Sequence, residues 1–134
     1  MDSYEELARS LDNEYGPDYW SDYVKLRVGE QLDALGDEDW SRLEKGWRGQ
    51  SAGWRVRLAE ASTLSDKPRV VGLLVGLLES PEPEVGSAAA EALLEKDYTW
   101  SPEAPIGGHL RRHLGNASPE QRAPIERLLS HIPE

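Results

Sequence analysis

Apolar residues recur along this chain at intervals of three and four, the period of a helix with one buried face. Leu7 and Leu11 lie four apart behind Ser3 and Glu6, which have the S-x-x-E spacing of a capping box. Gly16-Pro17 stops this first helix. From about Asp18 to Leu35, the positions Trp20, Val24, Val28, Leu32 and Leu35 trace one helical face, and Gly36 ends it. Trp40, Leu43 and Trp47 mark one short helix and Trp54, Leu58 and Ala61 another, with Gly49-Gln50-Ser51 as the break. Trp54 to Leu58 also alternates like a strand. Helix is the better reading, because Leu58-Ala59-Glu60-Ala61 continues it and no second strand is present to pair with.

Val70 to Leu78 is apolar on nearly every face, which predicts a helix lying between others at the centre of the domain. Its glycines, Gly72 and Gly76, would let a neighbouring helix approach, and the small residues Ser87-Ala88-Ala89-Ala90 suit that approach. Ser-Pro-Glu occurs at 80–82, 101–103 and 118–120, each time offering an N-cap oxygen, a first-turn proline and an acid facing the helix dipole. The last copy opens a terminal helix with Ile125, Leu128, Leu129 and Ile132 on its apolar face. Trp100 to Gly108 reads as the longest loop. The expected fold is all-α, a single domain over residues 1–134 with about seven or eight short helices packed as antiparallel hairpins. Aligning Pro68 with Pro105 sets Leu73 over Leu110 and Leu77 over Leu114, a period of 37 residues that lies near the ~40 of HEAT-type repeats.

At 134 residues the chain is long enough to bury an ordinary core. It has no cysteine, which excludes disulfides, thiolate metal sites and a cysteine nucleophile, and makes a reducing, cytoplasmic setting the expectation. The first residues are acidic where a signal peptide would be basic, and no apolar run approaches the ~20 residues of a membrane span. The net charge of −10 argues against a protein that neutralises nucleic-acid phosphates. Charge is also unevenly placed: residues 1–39 carry −9, residues 40–75 carry +4 and residues 76–134 carry −5. Acids interleaved with Tyr4, Tyr15, Tyr19 and Tyr23 have the composition of a surface that steers and holds a basic partner, although a charged run can equally be a solvated face.

Candidate chemistry is sparse. His109 and His113 stand four apart, the spacing at which two imidazoles share a metal, with His131 as a further ligand. Two arginines between them disfavour a cation, so a pair of surface histidines is expected and no metal. The carboxylate pairs Asp37/Asp39 and Glu82/Glu84 lie where helix starts favour negative charge. No phosphate-binding glycine loop and no nucleophile motif is present, so a binding protein without a cofactor is expected rather than an enzyme. Trp40, Trp47 and Trp54 recur every seven residues among arginines. They could stack bases or sugars, but Leu43 and Leu58 extend the same stripes and favour a core role.

The run Trp40-x-x-Leu43-x-x-Gly46-Trp47, followed by Ser51-x-x-Trp54-x-x-x-Leu58-Ala59, resembles the N-terminal part of small helical immunity proteins of bacterial toxin–immunity systems. Ser80-Pro81-Glu82-Pro83-Glu84-Val85, with Ala88, Ala89, Leu93 and Leu94, resembles the turn and second helix of a HEAT-type repeat, in which an Arg often stands where this chain has Gly86. The likeness spans residues 40–96. With the acidic helices of 1–39 it gives a domain of HEAT-like hairpins over 40–134, and it implies an inhibitor that binds one cognate protein toxin, often a basic nuclease, without chemistry of its own. Asp12, Glu14, Asp18 and Asp22, with Tyr15, Tyr19 and Tyr23, would then carry the contact. The alternative is a HEAT-like adaptor that binds a protein partner in the groove between hairpins.

Overall fold

The computed structural model describes residues 3–12, 17–96 and 106–132. They form α1 (Ser3–Asp12), α2 (Pro17–Tyr19), a π turn (Trp20–Val24), α3 (Lys25–Ala34) and α4 (Asp37–Gly46). A 3₁₀ turn (Trp47–Gly49) leads to α5 (Ala52–Ser62), followed by α6 (Arg69–Leu77), α7 (Pro83–Glu95), α8 (Gly107–Leu114) and α9 (Pro119–Leu129). Because α2, the π turn and α3 run on without interruption, the described residues make eight helical rods and no strand. Trp54 to Leu58 is therefore helical, and the fold is all-α.

Local chemistry explains where the rods start. Ser51 Oγ accepts the Trp54 N–H at 3.2 Å and opens α5. Ser118 opens α9 with a full capping box, its Oγ accepting from Gln121 N while the Gln121 side chain accepts from Ser118 N. The Ser-Pro-Glu at 80–82 behaves differently. A residue preceding proline avoids the helical region, and Glu82 before Pro83 is extended at φ −80°, ψ 125°. The helix therefore cannot begin before Pro83, Glu82 takes the cap position, and Ser80 is buried with its hydroxyl unpartnered among the described residues. The copy at 101–103 lies outside the described residues, as do Gly16 and most of the expected long loop. Gly36 does not end α3 as a left-handed cap. Leu35 leaves the helix in an extended conformation and buries its side chain, and Gly36, at φ −79°, stands before α4.

In the packing, α3, α5, α7 and α9 lie side by side in that order. α6 packs on both α5 and α7, α8 on both α7 and α9, and α1 on α3, α4 and α5. The consecutive pairs α6/α7 and α8/α9 pack against each other, as the hairpin packing expected from the sequence requires. The centre, however, is α7 and not the apolar helix α6. A Cβ at Gly72 of α6 would meet open space and one at Gly76 the edge of the Trp47 ring at 3.4 Å, so the small residues of α7 do not dock there. The core is continuous from Leu7 and Leu11 through Trp40, Leu43, Trp54 and Leu58 to Leu93, Leu110 and Ile125, all at most 1% exposed. Fully burying each such side chain contributes about 1.5–3 kcal/mol.

Candidate partner-binding surfaces

The sequence-predicted face lies on α2, the π turn and the start of α3. Residues at strict intervals of four overshoot one face of an α-helix by about 40° at each step. Trp20, Val24, Val28 and Leu32 are nonetheless all buried. The π turn, in which Lys25 N–H bonds to Trp20 O, winds more residues per turn and takes that drift back. Trp20 then enters the core, and its Nε1–H donates to Glu60 Oε2 at 3.2 Å. The outward side is left with Tyr19, Tyr23 and Leu26, which are 51%, 61% and 53% exposed. The two tyrosine rings lie 5.4 Å apart, tilted by 43°.

Asp18 and Asp22 stand exposed beside these tyrosines, one residue ahead of each. Asp12 is exposed at the end of α1, and neither it nor the other two aspartates takes part in any ion pair among the described residues. Glu14 and Tyr15 lie outside the described residues. The structure thus groups Asp18, Tyr19, Asp22 and Tyr23 and adds Leu26, which the sequence pattern had not singled out. Its signal was available: Tyr19, Tyr23 and Leu26 follow a spacing of four and three on the side opposite the core.

A second surface was missed. Lys25, Glu60, Thr63 and Leu64 form one side of a groove of about 450 Å³, and Glu84, Ser87, Ala88, Glu91, Ala92, Glu95 and Gln121 complete it. Glu84, Glu91 and Glu95 are exposed on one side of α7, at i, i+7 and i+11, a periodicity legible in the chain. Leu64, at the rim, is 41% exposed, and its Cβ rests against the backbone of Gly29.

The remaining candidates are structural. Trp40, Trp47 and Trp54 are at most 4% exposed and belong to the core, with Arg48 stacked on Trp47 at 4.4 Å. The histidines are not a surface pair. His113 is 1% exposed, and its Nε2–H donates to the carbonyl of Leu78 at 2.8 Å. Burial lowers its pKa against the opposing effect of that bond. Arg112 donates to the carbonyls of Leu78, Glu79 and Ser80, so Arg112 and His113 together satisfy the C-terminal end of α6. His113 fits because Gly86 has no side chain; a Cβ there would fall 2.5–2.6 Å from the ring. Of the carboxylate pairs, Asp37 binds Arg69, Asp39 binds Arg42 and Glu82 binds the buried Arg55 at 2.7 Å. Among the described residues no group of His, Asp and Glu is placed to hold a metal ion, and no helix is long and apolar enough to cross a membrane.

No protein-family model, curated protein or solved structure matches this chain.

Proposed function

We propose that the chain is a protein-binding inhibitor that neutralises one basic protein, in the manner of the helical immunity proteins it resembles, and performs no chemistry. The observation that carries this reading is the exposed stripe Tyr19, Tyr23 and Leu26 set beside the free carboxylates of Asp18 and Asp22. Tyrosine supplies amphipathic contact area at low entropic cost, and acids around it raise the rate at which a basic partner arrives. A π turn within a helix recurs at functional sites. The HEAT-like adaptor is the second reading, favoured by the side-by-side packing of α3, α5, α7 and α9 and by the groove across them.

The test begins with capture of a binding protein on the immobilised chain from a native lysate, eluted stepwise with salt. Titration calorimetry with wild type, Tyr19→Ala/Tyr23→Ala and Asp12→Lys/Asp18→Lys/Asp22→Lys then locates the face. A basic protein in one-to-one ratio, weakened roughly 30-fold or more by the tyrosine changes and made slower to associate by the charge reversals, supports the inhibitor. Unchanged affinity in both variants, with melting temperatures unmoved, removes this face from consideration. A partner held through high salt and lost on blocking the groove moves the reading to the adaptor.

A further inference from the structure

We propose that the groove between α5 and α7 seats a short, extended, Lys- or Arg-bearing segment of a protein partner. It is a separate surface from the tyrosine stripe and does not depend on that stripe being used.

Space, shape and charge argue for the same occupant. The groove offers about 450 Å³, within the range of pockets that enclose small ligands or a few side chains, and too little for a packed helix. Its floor consists of small residues: Ala92 is buried and Ser87 and Ala88 are half-buried, so a backbone can approach closely. Half-exposed Leu64 gives an apolar contact for the aliphatic stem of a Lys or Arg. Four carboxylates, those of Glu60, Glu84, Glu91 and Glu95, face a single cation, Lys25. Glu60 is held in place by the Trp20 indole N–H. Glu84, Glu91 and Glu95 join no ion pair among the described residues; Arg127, which shares a neighbouring hollow with Glu91 and Glu95, reaches neither.

The spacing selects the segment's conformation. At 1.5 Å per residue, Glu91 and Glu95 lie about 6 Å apart along α7, and Glu84 and Glu91 about 10 Å. An extended chain rises about 3.3 Å per residue and points alternate side chains to the same side, giving cations about 6.6 Å apart. Lys or Arg at alternate positions therefore matches the Glu91–Glu95 pair, while Glu84, farther along α7, adds to the field that draws a cation in. A like-charged segment would leave four acids facing acids, and an apolar one would strip water from them without replacing it.

The probe is a fluorescein-labelled octapeptide alternating Arg and Ser, titrated by anisotropy at two salt concentrations. Three variants accompany wild type. Glu84→Gln/Glu91→Gln/Glu95→Gln removes groove charge. Glu6→Gln/Glu30→Gln/Glu38→Gln removes equal charge from exposed positions elsewhere. Ala88→Trp fills the groove at constant charge. The expected result is at least tenfold weaker binding in the first and third variants and less than twofold in the second, with amide shifts on titration centred on Thr63, Ser87, Ala88 and Gln121. Equal losses in both charge variants would show attraction to net charge alone and overturn the proposal. So would full binding by Ala88→Trp in a variant that melts like wild type, shifts centred on Tyr19 and Tyr23, or no peptide binding at all. None of these results decides the tyrosine face, whose test uses different residues and the captured protein.

Discussion

Replacing Gly86 with alanine should destabilise the protein, although alanine is the better helix former. In the abstract, the exchange inside a helix gains about 1 kcal/mol. Here the added methyl would lie 2.5–2.6 Å from three atoms of the His113 ring. The ring is buried at 1% exposure and tied by Nε2–H to Leu78 O, so it cannot swing into solvent without losing that bond. Forcing a methyl into such a packed position costs about 1–3 kcal/mol, and the lost hydrogen bond about 1 kcal/mol more. Arg112 still donates to Leu78 O, which keeps the second term from growing. The net expectation is a loss of about 2 kcal/mol, or roughly 8 °C in Tm for a domain of this size. Gly72→Ala is the control: its Cβ meets nothing within 4 Å, so stability should rise by about 0.5–1 kcal/mol. Urea unfolding of both variants at pH 7.5 measures the contrast. In a His113→Ala background the Gly86→Ala penalty should turn into a gain, a coupling of about 2–3 kcal/mol. If Gly86→Ala is as stable as wild type, or costs the same with and without the histidine ring, the packing argument is wrong.

The buried histidine also predicts a pH dependence. Burial holds the His113 pKa below its ordinary 6.5; Arg112 and His109 push the same way, against the Leu78 carbonyl and the Glu82 carboxylate. Between 6.5 and that lowered value the unfolded chain binds the extra proton, so this contribution is fully present above pH 6.5 and is lost as pH falls below it. Wild type should therefore lose more stability than His113→Gln between pH 7.5 and 5.5, at up to about 1.4 kcal/mol per pH unit; parallel curves would refute it. The two described Ser-Pro-Glu copies should respond oppositely to alanine in thermal melts. Ser118→Ala removes a working cap and should cost about 1 kcal/mol, whereas Ser80→Ala deletes a buried, unpartnered hydroxyl and should be neutral or stabilising.

How far such features can be read from sequence depends on how local their causes are. The helices and most of the core follow from apolar spacing, because a residue such as Leu43 or Leu58 is buried whichever neighbour covers it. The tryptophans resolve to core for the same reason. The Ser80 error was avoidable: Pro83 two residues after Pro81 holds Glu82 extended and delays the helix, which is written in the chain. The burial of His113 was not legible. It needs Gly86 in α7 to meet α8 across 27 positions of sequence, a match made by tertiary packing. The place of Gly86 in a HEAT-like pattern marked it as odd without showing that its missing side chain is the seat of a histidine. Similarly, the Tyr19–Tyr23 pair was visible as a spacing, while its exposure depends on a π turn that keeps Trp20 and Val28 on one face.

The charge pattern gains meaning only when the arginines are followed to their partners. Five of the seven basic residues of segment 40–75 are engaged by other groups of the fold. Arg57 donates to Leu11 O, Arg55 binds Glu82 and the Gln50 carbonyl, Arg48 binds Glu79, Arg69 binds Glu44 and Asp37, and Arg42 lies over Tyr4 beside Asp39. These contacts join α5 to α1, tie α4 to α6 and anchor the start of α7, and they neutralise Asp37, Asp39, Glu44, Glu79 and Glu82. The carboxylates left over include Asp18 and Asp22 beside the exposed tyrosines and Glu84, Glu91 and Glu95 along the groove. The paired arginines tie elements of the fold together, and the remaining acids define its two candidate binding surfaces. Salt separates the two roles. Exposed ion pairs such as Arg122–Glu126 contribute at most about 1 kcal/mol each, and the core is apolar, so added salt should barely move the melting temperature. Recognition of a basic partner by unpaired surface acids is screened over about 10 Å at 0.1 M, so the same salt should weaken binding steeply. A fold that melts alike in low and high salt while its complex dissociates is the behaviour this division of charge requires.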